Sequence, residues 1–110
     1  MPKFRVLVLS EPREGKEDEF NNWYENQHLD EVLASTGWTR AQRFRLGTEA
    51  GAACPLPYLA EYEAEAPDAD SVLQTLNDTR PQRAQSDSIN RRTAGVWIFE
   101  ETGEVHTRQG

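Results

Sequence analysis

Apolar residues in this chain fall in short runs, and the kind and order of those runs leave little freedom for the fold. Residues 4–9 read F-R-V-L-V-L, an apolar and partly β-branched run that predicts a strand. Residues 10–16 (S-E-P-R-E-G-K) are turn chemistry that ends it. A helix is expected from residue 17 to about residue 33. Glu17, Asp18 and Glu19 occupy its first turn, where the helix dipole favours negative charge, and Gly37 stops it. Residues 38–46 (W-T-R-A-Q-R-F-R-L) predict a second strand, with Trp38, Phe44 and Leu46 on one parity and Arg43 and Arg45 on the other. Residues 47–57 hold two glycines and two prolines and read as a loop. Residues 58–64 predict a third strand, with Tyr58, Ala60 and Tyr62 on one face and Leu59, Glu61 and Glu63 on the other. Ala66-Pro67-Asp68 starts a second helix of about three turns, in which Val72, Leu73 and Leu76 recur at helical spacing until Pro81. Residues 82–92 are polar and read as short helical or irregular chain. Residues 93–99 predict a fourth strand whose V-W-I-F run reads as buried on both faces.

The order is β-α-β-β-α-β, the ferredoxin-like split βαβ of an α+β protein: one antiparallel four-stranded sheet with two helices on one face. Residues 1–100 form the single domain and residues 101–110 a polar C-terminal tail. The other face of the sheet is left open, and here it carries apolar and aromatic side chains, which is costly in water. Composition makes the cost acute. Only 36% of the 110 residues are hydrophobic, so a lone domain of this size has a thin core. Pairing of two open faces across a homodimer removes that cost.

Several function classes drop out. No run of about 18 apolar residues exists to span a membrane. Residues 1–4 lead straight into the first strand without the apolar region of a signal peptide, and the single cysteine, Cys54, suits a reducing compartment, so a cytoplasmic location is expected. A net charge of −7 argues against nucleic acid as a partner. Two histidines, His28 and His106, with one cysteine give no metal-ligand spacing, and there is no phosphate-binding glycine loop or nucleophile elbow. No metal and no cofactor are expected.

The densest stretch is residues 20–44. On a helix at about 100° per residue, Phe20, Trp23, Tyr24 and His28 fall within about 140°, so His28 sits beside the apolar stripe near a point where the helix breaks or tightens, while Leu29 and Leu33 fall elsewhere. The pattern W-Y-x-x-x-H-L-x-x-V-L, a turn at Gly37, and then an aromatic strand ending R-F-R-L resembles the dimeric α/β-barrel superfamily, and within it the EthD-like proteins. The resemblance implies two sheets paired into a barrel about a two-fold axis, with a pocket between sheet and helices in each subunit. Relatives include muconolactone isomerases, cofactor-independent quinone-forming monooxygenases, polyketide cyclases and haem-dependent enzymes, and a helix-end pocket histidine matches His28. One fold hosting this many chemistries names no substrate.

His28 titrates near neutral pH and is the candidate general base or acid; the bland alternative is a histidine capping a helix end. Tyr24, one turn earlier, meets His28 at i, i+4 and is the candidate assistant, or else core. Trp23, Trp38, Tyr58, Tyr62 and Trp97 are candidates to line a pocket for a flat substrate, although several of them must build the sheet faces and the dimer core. Arg43 either binds a substrate carboxylate or, with Arg45, pairs with Glu61 and Glu63 across the strands. Cys54 reads as a bystander and His106 as solvated. The expected activity is that of a small cofactor-independent enzyme acting on a compact aromatic or lactone metabolite by proton transfer, of isomerase, lyase, cyclase or monooxygenase type. The alternative is a non-enzymatic, stress-associated or ligand-binding barrel. A regulatory amino-acid-binding module would need a glycine-rich turn after the first strand, and Gly15 alone is a poor match.

Overall fold

Strict alternation in the two central strands divides the sheet into a helix-covered face and an open one. The structure is a computed structural model and describes residues 1–110. Strands β1 (Lys3–Ser10), β2 (Arg40–Arg45), β3 (Tyr58–Glu65) and β4 (Gly95–Glu100) form one sheet in the order β2-β3-β1-β4, and every neighbouring pair is antiparallel. Phe4 and Val6 of β1 stand opposite Ala64 and Tyr62 of β3, and all four are buried under the helices. Each large side chain so buried contributes about 1.5–3 kcal/mol.

Helices α1 (Glu17–Trp23), α2 (Leu29–Thr36) and α3 (Ala69–Thr79) cover that face. Asp68 starts α3 by accepting the Ser71 backbone N–H at 2.7 Å, and a 3-10 turn, Arg80–Gln82, carrying Pro81 follows it. Gly37 ends α2 in the left-handed conformation (φ 78°), where a β-carbon would be strained. The core joins Phe20, Trp23 and Tyr24 of the first helical rod to Val72 of α3 and the inner residues of β1 and β3.

Between α1 and α2 the rod neither breaks nor tightens. It widens into a five-residue π turn, Tyr24–His28, with right-handed helical backbone at both joins. An unbroken α-helix would set Leu29 about 180° and Val32 about 120° from Phe20. The widened turn absorbs about one residue, swinging both back by about 100°. Leu29 and Val32 are accordingly buried.

Two strand expectations are corrected. β2 begins at Arg40, so Trp38 lies before it and packs on Tyr62 at 5.7 Å between ring centroids. β4 is an edge strand, not one buried on both faces: Trp97 is 43% and Phe99 57% exposed on the open side of the sheet. The Trp97 indole lies over Gly95, where an added β-carbon would stand 2.7 Å from the ring. A side chain at this position would require the exposed indole to swing away.

Candidate functional site

The π turn determines what the first helical rod presents to the sheet. Trp23, Tyr24 and His28 meet there as a cluster: His28 stacks on Trp23 with centroids 4.3 Å apart and planes at 25°, and meets Tyr24 edge-on at 5.0 Å. These three, with Val32, form one wall of a cavity of about 260 Å³. Val8, Tyr62, Gly95 and Val96 of the sheet form a second wall. Leu76 and Asn77 of α3, and Arg80, Arg83, Gln85 and Arg91 from the chain leading to β4, close the rest. Pockets for drug-sized ligands run from about 300 to 1,000 Å³, so this one suits a smaller molecule.

Electrostatics separate the polar groups of the cavity. Burial, and then the positive charges of Arg83 and Arg91, push the His28 imidazole down from 6.5 to about 4. It is therefore neutral at neutral pH. Its Nδ1 is enclosed with no hydrogen-bond partner. Burial raises the Tyr24 hydroxyl, while the Tyr62 hydroxyl, the Arg43 guanidinium and the Ser10 hydroxyl act the other way. Burial, reinforced by Tyr24, raises Tyr62 further. Both phenols keep their protons at neutral pH and can donate hydrogen bonds to a carbonyl or phenolate oxygen.

Arg83 is 7% exposed. Its Nη1 donates to Ser35 Oγ at 2.9 Å and Thr79 Oγ1 at 2.7 Å, and its Nη2 to the Leu76 carbonyl at 2.9 Å, so it ties the ends of α2 and α3 together beside the cavity. Burial lowers its pKa. Arg91 donates to the Gln85 side chain at 3.0 Å.

Of the residues singled out in the sequence, His28, Tyr24, Trp23 and Tyr62 come together at the cavity. Trp38, Arg43, Tyr58 and Trp97 do not. Trp38 sits behind Tyr62, and Trp97 lies on the opposite sheet face. Tyr58 donates to Glu17 Oε2 at 2.6 Å and accepts from Asn21 at 3.2 Å, anchoring α1 to β3. Arg43 stands opposite Ala60, on the helix side of the sheet. It donates to Asn21 Oδ1 at 2.8 Å and lies over the rings of Tyr24, Tyr58 and Phe20 at 4.7–5.5 Å. The expected pairing of Arg43 with Glu61 and Glu63 is thereby overturned: those carboxylates point to the open face and pair with Arg5 at 3.0 and 2.8 Å. His106 is exposed in the tail, and Cys54 Sγ bonds the Leu56 carbonyl.

Arg80, Arg83 and Arg91 were missed because they lie on chain without helical or strand periodicity. The available signal was compositional: residues 80–92 hold four arginines in a chain with 12 basic and 19 acidic residues. No group of three or more His, Cys, Asp or Glu side chains is placed to hold a metal ion. Comparison with protein-family models, curated proteins and solved structures finds no match to this chain.

Proposed function

We propose that the chain is a small cofactor-independent enzyme of the EthD-like, dimeric α/β-barrel kind, acting on a compact aromatic or lactone metabolite by proton transfer at His28. The observation that carries the reading is the neutral His28 ring on the wall of a 260 Å³ cavity, edge-on to Tyr24 at 5.0 Å. Isomerisation, cleavage, cyclisation and oxygenation of such molecules all begin with removal of a proton beside a carbonyl or from a phenol. His28 accepts that proton, and Tyr24 and Tyr62 donate hydrogen bonds to the oxygen on which charge develops. Burial of Trp23 and Tyr24 keeps the wall rigid and dry. The reading includes a homodimer formed through the open sheet face and a cytoplasmic location, where the lone thiol of Cys54 stays reduced.

Exchange of substrate C–H for C–D in D2O tests the reaction directly. Lactones incubated with the protein should lose proton NMR signal at the carbon beside the carbonyl. His28→Ala should slow that loss by about 10²–10⁴-fold, and Tyr24→Phe by less, with near-UV circular dichroism unchanged. Exchange at the wild-type rate in His28→Ala would remove the mechanism.

One observation favours a second reading, a binding protein without turnover. Catalytic histidines are usually oriented by a hydrogen bond to the second ring nitrogen, and Nδ1 of His28 has none. Tight ligand binding with no exchange in the wild type would select this reading.

A further inference from the structure

Three arginines reach a cavity that contains no acid. Arg80, Arg83 and Arg91 line it, no lining residue is Asp or Glu, and none of the three arginines takes part in an ion pair. In a chain with net charge −7 this is a local inversion of sign. Arg83 makes it costly, because a buried charge is normally matched by an opposite one. Three of its five N–H groups donate to neutral oxygens of Ser35, Thr79 and Leu76. The C-terminal end of α3 offsets about half a charge. Glu31, the acid that acts on Arg83, spends its oxygens on the Ala84 N–H at 3.2 Å and on Gln27 at 3.5 Å. Set against three arginines, Glu31 and the helix end leave the cavity net positive.

We propose that the ligand of this cavity is a compact carboxylate, its charged end held by Arg80 and Arg91 over the fixed charge of Arg83 and its body against Trp23 and His28. The proposal rests on the reading of the cavity as the ligand site and adds the ligand's chemical class. Three of the five Arg83 N–H donors are held inside the fold, so the forks more open to a ligand are those of Arg80 and Arg91, both exposed at the rim. A planar guanidinium fork matches a carboxylate in geometry and charge. The groups facing His28 are the phenols of Tyr24 and Tyr62 and the arginines; no carboxylate faces it. A bound carboxylate opposes the part of the His28 depression that comes from Arg83 and Arg91, leaving the larger part that comes from burial, and so moves the imidazole a little way back toward higher basicity.

Benzoate and its neutral isostere benzamide serve as probes, followed by tryptophan fluorescence and by NMR titration of the His28 ring. Benzoate should bind at least about tenfold tighter than benzamide and move the His28 titration to higher pH. Arg80→Gln and Arg91→Gln should each cut the preference about threefold or more, and the double variant should abolish it. Benzoate preference in a wild-type protein that exchanges no substrate proton leaves the carboxylate site standing and removes only the catalytic reading, which separates the two. Equal binding of the two probes, no binding of either, or an undiminished preference in the double variant overturns the carboxylate site.

Discussion

Burial of His28 between Trp23 and the arginines ties the stability of the fold to pH. The unfolded ring takes its proton near 6.5, and the folded ring resists it until about 4. Between those values the unfolded state binds more protons. Stability is therefore complete above pH 6.5 and lost as the pH falls toward 4, by about 3 kcal/mol. His28→Gln should flatten the dependence of the urea midpoint on pH in this window while leaving the midpoint at pH 8 little changed. Equal slopes in the two proteins would mean that the ring is solvated. Asp68 acts in a separate window: the Ser71 hydroxyl, and then the Ser71 N–H, hold its carboxyl below 3.8, so its contribution disappears only in stronger acid. At this scale the sequence was readable wherever a helical wheel reaches, which is how Trp23, Tyr24 and His28 group together. Arg43 was misplaced because strand parity says which residues share a face but not which face the helices cover.

Among the elements, the π turn decides whether the first helical rod has one core face or two. Phe20 and Trp23 precede the widening, Tyr24 opens it, and Leu29 and Val32 follow it; only with the extra residue absorbed do all five pack on the sheet. Deleting exposed Gln27 should convert the turn to ordinary α-helix and keep both flanks in phase, changing stability by no more than about 1 kcal/mol in urea denaturation. Inserting an alanine after Gln27 should rotate Leu29 and Val32 out of the core by about 100° and cost about 3 kcal/mol or more. Equal costs for the two changes would show that the phase argument is wrong. At the end of the rod, Gly37→Ala should destabilise by about 1–2 kcal/mol, because φ 78° puts a β-carbon against the following carbonyl. The strands and α3 were readable because alternation and the Asp68 cap are local signals. The π turn was not, because every residue from Tyr24 to His28 is compatible with plain α-helix, and the widening follows only from where Leu29 and Val32 must go.

For the whole molecule the open sheet face is the unsettled surface. Its outward residues divide by chemistry. Leu7, Leu9, Leu59, Phe44, Trp97 and Phe99 form an apolar half, in which Phe44, Trp97 and Phe99 are 42%, 43% and 57% exposed. Arg5 and Arg40, with Glu61 and Glu63, form a charged half in which two positive and two negative groups pair at 2.8–3.7 Å. A second sheet can dock here without stranding a lone charge, and the apolar half supplies the driving force. The side chains that line the cavity stand on the helix-covered face or on the chain beyond it, so pairing of two such sheets leaves both cavities open. The expected species is therefore a homodimer at micromolar concentration in sedimentation velocity, with a melting temperature that falls on dilution. Trp97→Glu combined with Phe99→Glu places two carboxylates in the apolar half and should give a folded monomer that still prefers benzoate to benzamide. A wild-type protein that sediments as a stable monomer, with a melting temperature independent of concentration, would mean that the 36% apolar content suffices for a lone domain and that the exposed aromatics of β4 serve another partner.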